Sequence, residues 1–385
     1  MCCCHICRLS ETKEKNHGLE HTESYRNPVG RRNQLVCLRR EEISLFPEAP
    51  SLRNMARPLP FGAAVFIHGA AGRPIQTVCK KMIDVIVLGA AAGGGFPQWN
   101  SAAPGCVAAR TRQGAKARTQ ASIAVSADGK RWFILNAAPD LRQQIIETPA
   151  LHHQGSLRGT PIQGVVLTCG EIDAITGLLT LREREPFRLM GSDSTLRQLA
   201  DNPMFGALDP EIVPRIPLLL NEPMSLMNKD GIPSGLLLTA FAVPGKAPLY
   251  AEAAGSKPDE TLGLSITDGL KTLLFIPGCA HITPEIVERV AAADLVFFDG
   301  TLWRDDEMIR AGLSPKSGQR MGHVSVNDAG GPVECFTMCE KPRKVLIHIN
   351  NSNPILFEDS PERKSVERAG WTVAEDGMTF RLDTP

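Results

Sequence analysis

No apolar run in these 385 residues approaches the length that crosses a bilayer, so membrane insertion is not expected. The formal net charge is zero, and no nucleic-acid partner is expected. The glycine spacing of a dinucleotide fold is missing too. Three alanines separate Gly89 from Gly93, and no acidic residue follows about twenty positions on in a βαβ setting. Nor do the cysteines form a disulfide framework. Six of the eleven crowd into the first 81 residues, and Cys106, Cys169, Cys279, Cys335 and Cys339 are scattered, which suits a reducing cytoplasm. What is there is ordinary for a globular protein, with 43% hydrophobic and 22% charged residues.

Charge divides the chain. Residues 1–81 carry +6 and residues 82–385 carry −6. The first part has no sustained periodicity and scattered Pro and Arg. Cys2-Cys3-Cys4-His5-x-Cys7 offers metal-binding side chains, but no second ligand pair follows as a structural zinc site needs. Phe61–Ala71 is a poor copy of a signal-peptide apolar region, sixty residues in and broken by His68. Residues 1–81 therefore read as a disordered extension or as lying outside the natural product, with translation starting at Met82. Residues 82–385 read as one elaborate α/β domain.

That domain is organised around Ile83–Gly89, an apolar, β-branched run read as a strand buried on both faces. The loop after it holds Gly93, Gly94 and Gly95, whose missing Cβ atoms let another group lie against the backbone. Arg118–Ala127 alternates like a half-buried strand, Asp128-Gly129 turns it, and Arg131–Asn136 returns. Further strands are expected at 164–168, 187–190, 236–243, 262–267, 271–276, 294–298 and 345–349. Helices are expected at about 139–146, 174–184, 194–200 and 284–292. Strands come first and then alternate with helices, twice over, which suggests two packed sheets with helices outside.

Apolar strands repeatedly end in polar clusters, where α/β folds collect their ligand sites. Cys169, Glu171 and Asp173 alternate past one strand and are either a metal set or helix-capping chemistry. Asp299 opens Asp-Gly-Thr, which is equally good turn chemistry. His323 stands in a loop ahead of an expected helix. His348 lies within the apolar run Val345–Ile349, so it is expected to be buried with a partner, either in the core or at a site beside Asn350 and Asn351.

Longer stretches carry a resemblance. LGAAAGGGFPQWN (88–100), RTQASIAVS (118–126), NAAPDLRQQI (136–145), GLLTLRE (177–183), FIPGCA (275–280), FFDGTLWRDDEMIRAG (297–312), MGHVSVN (321–327), VLIHINNSNPIL (345–356) and EDSPERKSVERAGWTVAEDGM (358–378) run colinearly from Met82 almost to Pro385. They resemble the metallo-β-lactamase fold in its ribonuclease Z-like branch, and within it the pyrroloquinoline quinone (PQQ) biosynthesis protein B family. The resemblance implies a four-layer αββα sandwich and a role in making PQQ. Two activities go with it. One is metal- and O2-dependent hydroxylation of the tyrosine ring in a crosslinked Glu-Tyr precursor. The other is non-catalytic carriage of PQQ or its precursor toward the periplasm. The implied partner is that small molecule, and self-association is left open.

The family's residues carry over unevenly. Against the fold's His-x-His-x-Asp-His motif this chain has Cys169, Glu171, Asp173 and Ala174. Against the family's zinc knuckle it has Ser101, Ala103 and Cys106, and one thiolate does not hold a structural zinc. Asp173, His323 and His348, with Glu171 as a substitute carboxylate, are the implied ligands for one Fe(II) or Zn(II). His323, Asp299 and His348 are the implied catalytic residues. Gly93, Gly94, Gly95, Arg118, Asn350 and Asn351 are the implied substrate-holding set; for Arg118 a structural salt bridge is the alternative.

Overall fold

Two seven-stranded sheets pack face to face in the computed structural model, which describes residues 82–254 and 257–383. The readings made for residues 1–81 lie outside the described residues. The first sheet holds β1 (Met82–Gly89), β2 (Ser122–Ser126), β3 (Trp132–Leu135), β4 (Ile162–Val166), β5 (Arg188–Gly191), β6 (Arg215–Pro217) and, at its edge beside β1, β14 (Thr379–Asp383). The second runs in spatial order from β13 (Trp371–Val373) through β12 (Arg343–Ile347), β11 (Leu295–Asp299), β10 (Thr272–Ile276), β9 (Leu262–Thr267) and β8 (Pro233–Ala242) to β7 (Pro223–Met227). Each sheet has a parallel half, β3 to β6 and β10 to β13.

Alternation sorts the strand residues into two cores. In β1, Val85 and Val87 face the inter-sheet core while Leu88 faces outward. In β11, Leu295 and Phe297 point inward, and Val296 and Phe298 point out to a second layer. Burying a side chain such as Phe297 contributes about 1.5–3 kcal/mol. The outer layers are helical. Helix Pro284–Ala292, capped by the Thr283 hydroxyl, lays Ile286 and Val290 on the second sheet. Helices Leu141–Glu147 and Asp193–Asp201 bring Leu141, Leu196 and Leu199 to the first. The layering is αββα, as the resemblance implies.

The structure redraws several local expectations. Strand β2 begins at Ser122, four residues late, and is buried throughout rather than half-buried. Its serines satisfy themselves inside, Ser122 donating to the Asn136 carbonyl and Ser126 to Asp128. The helix expected over 174–184 is a single turn, Ile172–Ile175, followed by a 3-10 stretch, Thr176–Leu181. Gly177 explains the break: its backbone presses so close to Ala138 that a Cβ would sit 2.0 Å from that carbonyl oxygen. Strands β6, β7, β13 and β14 carry no strong apolar run and were not foreseen. His348 is not inside its strand, because β12 ends at Ile347.

Candidate metal centre

The ends of β4, β11 and β12 converge with the glycine loop after β1 on a cavity of about 520 Å³. Its wall includes Gly93, Asp173, Thr301, His323, His348 and Asn350. Each of the polar residues is placed by a break in regular structure. Strand β11 ends on Asp299, which is fully buried. His348 follows β12 with φ +58, a left-handed backbone that turns its ring out of the strand. His323 follows the helix turn Gly318–Met321, which Gly322 stops with φ +89. Asp173 sits in the first turn of Ile172–Ile175.

Among the described residues, Asp299, His323 and His348 form a group whose ligand atoms lie within 4.8 Å of one another. The two imidazoles stack at 5.1 Å between centroids, tilted by 18°. Hydrogen bonds sort this group into two kinds of residue. The Asp299 Oδ1 accepts from the Thr301 amide (3.0 Å) and hydroxyl (2.6 Å). Its Oδ2 accepts from the Cys279 amide (2.9 Å) and from His323 Nδ1 (2.7 Å). A carboxylate has about four lone-pair sites, and here all are taken. Asp299 is therefore the carboxylate that orients His323, in the manner of outer partners of metal-binding histidines.

His348 is held at both nitrogens. Its Nδ1 lies 2.8 Å from Thr301 Oγ1 and its Nε2 lies 2.9 Å from Asp173 Oδ2. Burial alone would lower the His348 pKa, but the hydrogen bond and charge of Asp173 outweigh it and raise it. Burial likewise works to raise Asp173, and its partnership with His348 wins and lowers it. Without metal, His348 Nε2 shares its proton with the Asp173 carboxylate. A cation with nitrogen and oxygen preferences would take the place of the Nε2 proton, so His348 and Asp173, with His323 in the same cavity wall, offer donors that fit a divalent ion.

The other expected ligands and substrate holders divide. Glu171 lines the cavity, but its carboxylate pairs with Lys246 at 2.8 Å, and Lys246 also faces Glu252 at 3.5 Å. Cys169 keeps its proton, since burial and the nearby Asp173 push the thiol up to about 12. Ala174 is buried and offers no donor. Gly93 and Gly94 line the cavity, and a Cβ on Gly93 would stand 3.3 Å from Asp173 Oδ2. Gly95 lies behind them, near the Arg118 carbonyl. Arg118 is a correction: its buried guanidinium donates to Ala374, Lys116 and Glu375, so the structural alternative holds. Asn350 lines the cavity, whereas Asn351 donates to Gln98 and lies 3.7 Å from the buried Cys106 thiol. Sequence reasoning passed over Thr301, Lys246 and Gln98 as site residues. The Asp-Gly-Thr turn was the one signal for Thr301.

Comparison with known proteins gives this geometry its class. The family model of the beta-lactamase superfamily domain matches residues 131–349, so the chain carries a metallo-β-lactamase fold. A diphosphatase of the PhnP family shares that fold at 18% identity, with a TM-score of 0.56 over 78% of this chain and 98% of that one. Two relatives bear the name coenzyme PQQ synthesis protein B. That of Gluconobacter oxydans is 94% identical over 304 residues, 79% of this chain and 100% of its own length. That of Gluconacetobacter diazotrophicus is 60% identical over 303 residues, 77% of this chain and 99% of its own. A crystal structure described as Zn(2+)-bound PqqB from Methylobacterium extorquens is 46% identical, with a TM-score of 0.74 over 78% of this chain and all of that one. The chain belongs to the coenzyme PQQ synthesis protein B family.

Proposed function

We propose that this protein acts in PQQ synthesis as an oxidative enzyme with a single metal ion, hydroxylating the tyrosine ring of a crosslinked Glu-Tyr precursor. The observation that carries the reading is the pair of stacked histidines, each with Nδ1 anchored on the Asp299–Thr301 turn, opening on a cavity with Asp173. Iron is the working metal in this reading, and zinc, named for the Methylobacterium extorquens relative, is a competitor for the same donors. When bound, the metal supplies the chemistry with O2. The chain's own residues hold and orient. His323, His348 and Asp173 bind the ion, Asp299 and Thr301 fix the rings, and Gly93 leaves room beside Asp173. Gln98, Asn350 and Lys246 offer polar contacts to a small-molecule substrate from the cavity wall. The scattered free cysteines support a cytoplasmic setting for this step.

A specific observation favours a second reading, carriage of PQQ or its precursor without turnover. On the β4 side burial favours the protonated Cys169 thiol when no metal is present, Glu171 is paired to Lys246 and Ala174 is apolar, which leaves Asp173 as the readiest ligand there. One experiment separates the two. The purified protein, loaded with Fe(II) and given the crosslinked precursor, O2 and a two-electron reductant such as ascorbate, is expected to yield hydroxylated product and water and to lose activity on chelation. Tight precursor binding with no product under those conditions would leave the carrier reading.

A further inference from the structure

We propose that the Thr301 hydroxyl is the positioning group of the centre: it holds His348 with Nδ1 turned inward and thereby presents Nε2 as the metal-binding nitrogen. Four groups meet at this one oxygen. Thr301 Oγ1 lies 2.6 Å from Asp299 Oδ1, 2.8 Å from His348 Nδ1, 3.1 Å from His323 Nδ1 and 2.9 Å from the His348 carbonyl oxygen. The side chain is nearly fully buried, at 4% exposure, so no bulk solvent competes for these contacts.

Proton counting fixes the directions. A hydroxyl has one hydrogen to give and two lone pairs to receive with. Two oxygens compete for that hydrogen, Asp299 Oδ1 at 2.6 Å and the His348 carbonyl at 2.9 Å; the shorter, charge-assisted bond to Asp299 is the stronger, and either choice leaves only lone pairs facing His348 Nδ1. Thr301 is then an acceptor toward His348, so the proton between them belongs to Nδ1. His323 Nδ1 already donates to Asp299 Oδ2 at 2.7 Å. Both rings thus spend Nδ1 on the same Asp299–Thr301 turn, and both are left with Nε2 for a ligand.

Turn chemistry alone explains less. An Asp-Gly-Thr turn accounts for the Thr301 contact with Asp299 and nothing more. It gives no reason for two imidazoles from separate segments to meet the same hydroxyl, nor for a left-handed His348, φ +58, whose own carbonyl returns to it. Threonine in place of valine, its near-isostere, is the difference between one hydrogen-bonding oxygen and none.

The inference rests on the metal-centre reading, but half of its test needs no metal. In metal-free protein, 15N–1H spectra of the histidine rings should show a slowly exchanging proton on His348 Nδ1, and Thr301→Val should abolish that signature. Zinc affinity, measured by chelator competition on the full chain, should fall about 10–100-fold in Thr301→Val and be largely restored in Thr301→Ser. Unchanged zinc affinity in Thr301→Val overturns the proposal. So does equal damage from Ser and Val, which would assign the role to the methyl group. If Thr301→Val fails to fold, the wild-type spectrum decides, and an unprotonated His348 Nδ1 refutes it. If no zinc binds, the metal reading fails and the spectra still decide this one.

Discussion

The two sheets build opposite walls of the cavity, and they treat charge differently. On the second-sheet wall, Asp299 is surrounded by neutral donors and a histidine, and every lone pair is used to hold something in place. On the first-sheet wall, Glu171 is neutralised by a lysine, Cys169 keeps its proton, and Ala174 has nothing to give. Asp173 reaches across to a ring, His348, rather than to a lysine. Both walls are strand ends rich in polar residues, so the contrast lies in their partners. A buried carboxylate ringed by fixed N–H and O–H groups becomes a tool for orienting other residues. One given a flexible ammonium is spent on that cation.

The largest expected effect comes from breaking the ordered wall. Asp299→Asn keeps the shape but replaces one acceptor oxygen by an NH2 among four donors. In either amide orientation at least one buried N–H loses its acceptor, at a cost of about 1–3 kcal/mol. His323 also loses its orienting charge, so metal affinity should drop about 10–100-fold. Thermal unfolding of the metal-free protein and metal competition measure the two losses separately. Normal metal binding by the Asp299→Asn variant would remove Asp299 from the positioning role.

How much of this contrast could be read from residues follows from its physics. Strand ends announce themselves, because an apolar β-branched run that stops at Asp-Gly-Thr or His-Ile-Asn-Asn has few other structures open to it. The four layers and the convergence of Asp299, His323 and His348 were therefore within reach, helped by the long family signatures. Partnerships were not. Nothing near Glu171 in sequence points to Lys246, 75 positions away, and nothing near Arg118 points to Glu375. Thr301 was hidden for another reason: its role depends on two histidines arriving from elsewhere. The stop at Gly177 was equally invisible, since it is set by the Ala137–Ala138 backbone lying against it.

A smaller effect sharpens the role of donor count. Asp376 is half-buried, and among the described residues it accepts from the Ala90 amide, the Thr119 amide and the Thr119 hydroxyl. Burial outweighs these bonds, and its pKa is pushed up from 3.8 to about 6. The folded protein thus holds a proton there that the unfolded chain has released. Stabilisation from this group is complete below pH 3.8 and is lost as pH rises through about 6. Its amplitude is on the order of 1–3 kcal/mol. Urea unfolding of metal-free wild type and Asp376→Asn at pH 5 and pH 7.5 should show a steeper loss with pH in the wild type. Equal pH dependence in the two proteins would mean that Asp376 is ionised in the fold at both values.

The smallest expected effect is the most discriminating for the first-sheet wall. Glu171→Gln removes a carboxylate whose partner is Lys246, and both side chains are part-exposed, at 30% and 24%. A pair of that exposure contributes about 0–1 kcal/mol, so stability should barely move. Zinc affinity should also stay close to wild type, well short of the ~10–100-fold loss that follows removal of an orienting partner. Should affinity instead collapse, Glu171 must leave Lys246 when metal arrives, and the first-sheet wall would supply two carboxylates rather than one. Lys246→Met then separates the possibilities further: it would tighten metal binding if the lysine competes with the ion for Glu171, and leave it unchanged if Asp173 is the sole ligand from that wall.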